Sequence, residues 1–156
     1  MSCYAKTTRQ QEKEVTLCLT VINSRAKLIE EFRIAVDNGR AHSVVLDLPP
    51  EMGTDRGPTA LELGVMSFAG CIATIFALMT KKMRVQISDL KIEMKAEKPE
   101  GARTVTKADY EIAVTSSESE SKIKRAFELT KENCPVGLIF EKAGVQVNYK
   151  LKIVKE

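Results

Sequence analysis

The chain has 156 residues, a length that fits one domain, and 44% of them are hydrophobic while 29% are charged, as in an ordinary globular protein. The formal net charge is only +3, from 24 Lys and Arg residues against 21 Asp and Glu, so charge does not favour binding to nucleic acid. Aromatic residues make up 5% of the chain and Trp is absent, which leaves few side chains on which bases could stack.

The cysteine content argues against a structural metal site and against a disulfide scaffold. The four cysteines are Cys3, Cys18, Cys71 and Cys134, and His42 is the single histidine. No CxxC pair occurs, so we expect no zinc site, and nothing else in the chain suggests a bound cofactor. The polar N-terminus does not resemble a signal peptide, so we expect a cytoplasmic protein whose thiols stay reduced.

Alternating apolar residues predict three strands in the first third of the chain, over residues 15–21, 29–36 and 43–48. Residues 1–14 are expected to form a mobile or edge segment of the single domain, 1–156. Asn23-Ser24 is typical of a turn. Asp37-Asn38-Gly39 predicts a hairpin, because Asn and Gly tolerate positive φ.

A loop rich in Pro and Gly, residues 49–58, precedes the longest apolar run. Thr59 and Glu62 have the spacing of a capping box, and a helix is predicted from there to about Lys82. Residues 60–79 contain one charge and are long enough to cross a bilayer. We expect a buried core helix instead, because its small residues keep it thin and the amphipathic strands need an apolar partner.

The second half of the chain alternates strand and helix signals. Strands are predicted around residues 90–96, 108–114 and 145–153, with a phase slip at Ser88-Asp89 that suggests a bulge or the start of a strand. A helix with an inner stripe beginning at Ile123 is predicted to end at Cys134-Pro135, and a short one to follow over 135–142, since Pro suits the first helical position. The order of elements predicts an α+β fold.

Cys71 and Cys134 lie in different settings, and residue type alone leaves two interpretations open. Either both are small buried hydrophobic residues, or they form a peroxide-reducing pair in which one thiol attacks and the other resolves. Cys134, immediately before Pro135, is predicted at a helix N-cap, where free amides and the helix dipole favour a thiolate.

Three segments of the chain resemble motifs of the OsmC/Ohr family, the osmotically induced and organic hydroperoxide resistance proteins. The run Gly57–Leu63 leads to Cys71 and is similar to the family's G-P-(S/T)-P-x-E-L-L-L run that ends at a helical Cys. Cys134-Pro135-Val136 is similar to the family's second Cys motif, and Asp47-Leu48-Pro49 is similar to a further family feature. The predicted order of elements also matches over nearly the full length.

This resemblance implies a fold in which curved antiparallel sheets surround a long central helix in an intertwined homodimer, with active sites at the dimer interface. It implies a thiol-dependent peroxidase that prefers organic hydroperoxides and serves in oxidative stress defence. Cys71 matches the peroxidatic cysteine and Cys134 the resolving cysteine, and the two would form an intramolecular disulfide. A small or lipoyl dithiol would regenerate the thiols, and neither nucleic acid nor membrane is expected as a partner.

The resemblance also implies an Arg near the attacking thiol and a carboxylate that orients it. Arg25 is the candidate, because Asn23-Ser24-Arg25 occupies the turn in which the peroxidase subgroup has Gly-Gly-Arg, and Arg56 is the alternative. The subgroup's carboxylate position corresponds to Leu61, so we take Glu62, one residue later, as the candidate. The alternative role of Glu62, as a helix cap only, is favoured by the capping-box spacing.

The departures at Leu61 and at the missing Gly-Gly-Arg keep two other functions open. One is a non-catalytic binder of apolar ligands on the same dimeric scaffold. The other is a redox sensor whose Cys71–Cys134 disulfide changes an interaction with a partner.

Overall fold

The computed structural model describes residues 20–156, and the chain divides into two compact units, Met1–Ala60 and Leu61–Glu156. Most of the strand predicted over 15–21, the N-terminal segment 1–14, Cys3 and Cys18 lie outside the described residues. The prediction of one domain over 1–156 stays a prediction.

The first unit contains a three-stranded antiparallel sheet of β1 (Arg25–Glu30), β2 (Arg33–Asp37) and β3 (Ser43–Leu46), in that order. The prediction of one strand over 29–36 is wrong, because a turn at Glu31 and Phe32 divides this segment between β1 and β2. Glu31 has a φ of 44°, which interrupts the extended backbone. The predicted turn at Asp37-Asn38-Gly39 is confirmed between β2 and β3, with Gly39 at a φ of 73°.

A buried carboxylate organises the loop between β3 and the first helix. Asp47 is 3% exposed, and its side chain accepts hydrogen bonds from the Thr54 hydroxyl at 2.6 Å and from the backbone amides of Leu48 at 2.8 Å and Arg56 at 3.2 Å. A side chain at Gly57 would collide with the carbonyl oxygen of Val45, so only glycine allows this close approach to β3. The predicted loop is therefore tightly held rather than open.

The second unit contains three helices and a second sheet. The helices are α1 (Ala60–Met83), α2 (Glu120–Asn133) and α3 (Pro135–Lys142), and the strands are β4 (Asp89–Glu97), β5 (Lys107–Thr115) and β6 (Gln146–Val154). These bounds confirm the predicted helices and the predicted start of a strand at Ser88-Asp89. The fold is α+β, and β5 is the central strand of the sheet β4-β5-β6.

The expectation of wholly antiparallel sheets is wrong for one strand pair. β4 and β5 are antiparallel, but β5 and β6 are parallel along their full length, from Lys107 opposite Gln146 to Thr115 opposite Val154. The physical reason is the connection, because α2 and α3 carry the chain back to the end of the sheet at which β5 began. This crossover places the α2–α3 junction over the sheet.

The core of the second unit lies between α1, α2 and one face of the sheet. Alternate residues of β5 are buried, and they pack with stripes from both helices. The buried residues of these three elements are Phe68, Ile72, Phe76, Met79, Thr80, Ala108, Tyr110, Ile112, Val114, Ile123, Ala126, Phe127 and Thr130. α1 therefore has a buried face, as a core helix should.

The opposite face of α1 is exposed in the single chain and is largely apolar. Met66 is 55% exposed and Leu78 45%, with Gly70, Thr74 and Ala77 between them also exposed. By length and composition, α1 is the one helix among residues 20–156 that could cross a membrane. Its buried stripe accounts for only part of its apolar surface, so this exposed face calls for a further explanation.

Candidate functional site

Cys134 lies at the junction of two helices, where it caps both. It ends α2 and is the N-cap of α3, with Pro135 at the first position of the new helix. Its backbone is extended, at φ −83° and ψ 102°, and its Sγ accepts the backbone N–H of Gly137 at 3.3 Å. The sequence prediction of an N-cap thiol before Pro135 is therefore confirmed.

Gly137 makes this cap possible. A Cβ atom at this position would lie 3.0 Å from Cε2 of Phe68 and 3.3 Å from Cys134 Sγ. Phe68 is itself held by Phe140, whose ring centroid lies 4.7 Å away. Glycine thus lets the amide approach the sulfur while the aromatic rings close the surrounding space.

Cys71 lies on α1, and the fold brings its thiol against that of Cys134. The two Sγ atoms are 3.2 Å apart, and the Cys134 thiol donates toward Cys71. Both thiols are free; Cys134 is 4% exposed, while Cys71 is half-buried. A disulfide has an S–S bond of about 2.05 Å, so only a small approach separates this contact from a covalent bond.

Burial decides the protonation of Cys134. Burial raises the pKa of its thiol to about 11, the contact with Cys71 adds to the rise, and the hydrogen bond from Gly137 opposes it. The N-cap position was expected to favour a thiolate. The Gly137 amide does lower the pKa of Cys134, but the net shift is upward, so the expected thiolate is wrong. Loss of solvent is larger than the stabilisation from one helix N-terminus, so Cys134 is a neutral thiol near pH 7.

A narrow cleft of about 60 Å³ reaches Cys134. Its inner wall is apolar and aromatic, and three polar side chains lie along it. The cleft is lined by Phe68, Ile72, Tyr110, Thr130, Lys131, Cys134, Gly137, Glu141, Val147 and Tyr149. We call it the Cys134 cleft.

Lys131 and Tyr149 join α2 to β6 beside this cleft. The Lys131 Nζ donates to the Tyr149 hydroxyl at 2.6 Å and lies 3.8 Å from the centroid of the Tyr149 ring. It also pairs with Glu128 at 2.6 Å. Burial lowers the pKa of Lys131, but its bonds to Glu128 and Tyr149 outweigh that effect and the pKa is raised, so Lys131 stays charged. Neither residue is predictable from the sequence, because nothing in the sequence signals a contact between α2 and β6.

The candidate arginines belong to the first unit. Arg25 begins β1 and its side chain is 72% exposed, and its Nε and Nη2 donate to the same Asp37 Oδ1 at 3.0 and 2.7 Å. This bond and that from the Gly39 amide lower the pKa of Asp37. Arg56 uses its backbone amide to hold Asp47. The roles predicted for Arg25 and Arg56 beside Cys71 stay predictions.

Glu62 lies in the first turn of α1, where a negative charge favours the helix dipole. Nine residues separate it from Cys71, which corresponds to about 13.5 Å of rise and roughly half a turn of rotation. Its predicted catalytic role and its alternative role as a cap both stay predictions. Among residues 20–156, no group of three or more His, Cys, Asp or Glu side chains could hold a metal ion.

Comparison with known proteins gives a consistent set of relatives. Residues 53–150 match the family model described as OsmC-like protein. Protein YhfA of Escherichia coli strain K12 is 25% identical over 136 residues, which cover 85% of this chain and 98% of that protein.

Two solved structures share the fold at lower sequence identity. An OsmC-like protein from Mycoplasma pneumoniae has a TM-score of 0.78 at 18% identity, over 86% of this chain and 98% of that one. An organic hydroperoxide resistance protein from Elizabethkingia anophelis has a TM-score of 0.66 at 12% identity, over 90% of this chain and 99% of that one. At such identities the likeness establishes the fold alone.

Proposed function

We propose that this chain, which belongs to the OsmC-like family, is a thiol-dependent peroxidase that reduces organic hydroperoxides to alcohols. The observation that carries the proposal is the 3.2 Å contact between the Cys71 and Cys134 sulfurs. An organic hydroperoxide resistance protein among its structural neighbours agrees with this reaction class.

The proposed reaction begins at Cys71. Its thiolate attacks one oxygen of the hydroperoxide, the O–O bond breaks, and an alcohol leaves after taking up a proton. Cys71 becomes a sulfenic acid. The Cys134 sulfur then attacks the Cys71 sulfur, water leaves, and a Cys71–Cys134 disulfide forms. An external dithiol reduces this bond, with no metal or bound cofactor.

The two thiols differ in the way these roles require. Cys71 is the more exposed thiol and is therefore assigned the attack on the substrate. Cys134 is buried and protonated, and its proton is directed toward the Cys71 sulfur. A neutral resolving thiol does not compete for the hydroperoxide, since the thiolate is the nucleophile. Its amide contact from Gly137 supports ionisation when it must attack.

We also propose a cytoplasmic homodimer. The exposed apolar face of α1, with Met66, Gly70, Thr74, Ala77 and Leu78, would be covered by a second copy of the chain. In that assembly Arg25 or Arg56, and Glu62, are proposed to act on Cys71. Neither nucleic acid nor a membrane is a proposed partner.

Intact mass spectrometry of the reduced protein tests the reaction. One equivalent of cumene hydroperoxide is expected to remove two hydrogens, and peptide mapping is expected to place the new disulfide between Cys71 and Cys134. Cys71→Ser is expected to lose turnover by orders of magnitude, and Cys134→Ser to accumulate the Cys71 sulfenic acid and its overoxidised products.

Other results would redirect the assignment. Unchanged mass and free thiols, with turnover equal in wild type and Cys71→Ser, would exclude the peroxidase and favour the apolar-ligand binder. A disulfide that forms without multiple turnovers in the presence of dithiol would favour the redox sensor.

A further inference from the structure

We propose that the reducing thiol enters through the Cys134 cleft and attacks the Cys134 sulfur, so that Cys71 is released first. This inference rests on the proposed disulfide cycle and names the atom at which the cycle is reset. It also assigns Lys131 and Tyr149 as positioning residues at the entrance of the cleft.

The first argument is access. Of the two thiols, only Cys134 lines the cleft, although Cys71 is the more exposed residue. Lys131, Glu141 and Tyr149 provide the solvent-facing part of the lining, and Tyr149 is 50% exposed. The cleft therefore connects solvent with a sulfur that is otherwise 4% exposed. Without the cleft, Cys134 would be closed to an external nucleophile.

The second argument is size. A cleft volume of about 60 Å³ is far below the roughly 300–1,000 Å³ of an ordinary small-molecule pocket. It accommodates a sulfur atom on a slender alkyl chain, but not a thiol fixed on the broad surface of a folded protein. The Lys131–Tyr149 bridge keeps α2 and β6 together at this width through a hydrogen bond and a cation–ring contact.

The third argument is the leaving group. In thiol–disulfide exchange, the sulfur whose thiol has the lower pKa leaves faster. Burial is the largest cause of the raised pKa of Cys134, and burial remains in the disulfide. Release of Cys134 in the first step is therefore disfavoured, and attack on Cys134 avoids it.

The external dithiol reduces the Cys71–Cys134 disulfide in two successive thiolate attacks. The electron pair of the external thiolate forms a bond to Cys134 Sγ, and the pair of the broken S–S bond leaves on Cys71 as a thiolate. The second thiolate of the same dithiol then attacks its own mixed-disulfide sulfur, which gives a cyclic disulfide. Cys134 leaves with the electron pair and takes a proton from water, and the Gly137 amide beside its sulfur favours this departure.

Trapping the mixed disulfide on the wild-type protein tests the point of attack directly. The protein is oxidised with diamide, which makes the disulfide independently of peroxidase activity, then mixed with excess mercaptoethanol and quenched with N-ethylmaleimide. Peptide mass spectrometry is expected to find mercaptoethanol on Cys134 and N-ethylmaleimide on Cys71. Mercaptoethanol on Cys71 would overturn the inference and leave the peroxidase intact. Absence of a disulfide after diamide would overturn both.

A second test widens the entrance of the Cys134 cleft by removing the Tyr149 side chain. Tyr149→Ala removes the exposed ring and the bond to Lys131, so it is expected to raise the reduction rate by glutathione relative to mercaptoethanol by about tenfold. The control is Leu138→Ala, because Leu138 is also 50% exposed and lies outside the cleft. A merely structural role for Tyr149 would slow or speed both thiols alike, and an unchanged ratio would contradict the proposed route.

Discussion

At the scale of single residues, Gly137 is the position on which the geometry of the thiol pair depends most. Gly137→Ala would improve helix propensity by up to about 1 kcal/mol. The added methyl, however, would meet the buried Phe68 ring at 3.0 Å and the Cys134 sulfur at 3.3 Å. Overpacking of this kind costs about 1–3 kcal/mol, so we expect a net loss of about 1 kcal/mol in denaturant unfolding and slower formation of the disulfide.

Gly64→Ala provides the matched control for this substitution. Gly64 is also helical, but a Cβ there would meet nothing within 4 Å. The higher helix propensity of Ala should therefore act without a steric cost, and the free energy of unfolding should rise by up to about 1 kcal/mol. Equal stabilisation by both substitutions would show that the space around Gly137 can adapt and that its glycine is not required.

The sequence was informative about the thiols because their constraints are local. Pro is favoured at the first position of a helix, and the residue before it is then the N-cap, so the place of Cys134 followed from two adjacent residues. The pairing with Cys71 came from the family resemblance, since nothing local connects positions 63 residues apart. Lys131 and Tyr149 could not be foreseen, because their contact depends on the packing of α2 against β6.

At the scale of elements, the loop after β3 depends on one ionised carboxylate. Hydrogen bonding from Thr54, with further bonds from backbone amides, lowers the pKa of Asp47 to about 2 although burial opposes it. The Arg33 Nε lies 3.8 Å from the same carboxylate and forms no hydrogen bond within residues 20–156. Asp47 thus holds both ends of the loop that leads to α1.

This arrangement predicts how the effect of Asp47→Asn varies with pH. The folded pKa lies below the value of about 3.9 in an unfolded chain, so the charge stabilises the fold above that pH. The contribution is lost as the pH falls toward 2. We therefore expect Asp47→Asn to lower the free energy of unfolding at pH 7, and the difference from wild type to shrink between pH 4 and pH 2.

Asp55→Asn separates this effect from a general loss of charge in the loop. Asp55 is exposed and has a φ of 53°, a conformation that Asn also tolerates. Urea unfolding of both variants from pH 8 to pH 2 is the measurement. An Asp47→Asn difference that stays constant down to pH 2, or that Asp55→Asn reproduces, would contradict the role of the Asp47 carboxylate.

Helices and strands with a regular spacing of apolar residues were predictable from the sequence. The turns between strands and the direction of strand pairing were less predictable. The stripe of α2 and the alternation of β5 confirm their patterns almost residue by residue. The strand predicted over 29–36 failed because apolar residues continue through the turn at Glu31. The expected antiparallel pairing of β6 was wrong for a different reason: alternation gives the face of a strand but not its direction.

At the scale of the whole molecule, the exposed apolar face of α1 supports the proposed homodimer. The strands of the first unit also carry exposed apolar side chains, among them Leu28, Ile29 and Val44. Monomers rarely leave such surfaces uncovered. A second copy of the chain is the occupant we propose, because Gly70, Thr74 and Ala77 have small side chains that permit a close approach.

Ala77→Lys tests this assembly. A lysine within a packed apolar face would be desolvated without a partner, so the variant is expected to shift a dimer toward monomer by orders of magnitude in dissociation constant. Ser121→Lys places the same charge on an exposed position of α2 and should leave the dimer intact. Sedimentation velocity over a range of concentrations separates the two species.

The assembly and the chemistry are linked if the second copy completes the site around Cys71. Monomeric Ala77→Lys should then retain the Cys71–Cys134 contact, which lies within one chain, and form the disulfide with diamide. It is expected to lose turnover with cumene hydroperoxide, because we propose that an Arg and Glu62 act on Cys71 in the dimer. A monomeric variant with full turnover would place the whole peroxidase site in one chain, and a wild-type monomer that binds lipid vesicles would assign the α1 face to a membrane instead.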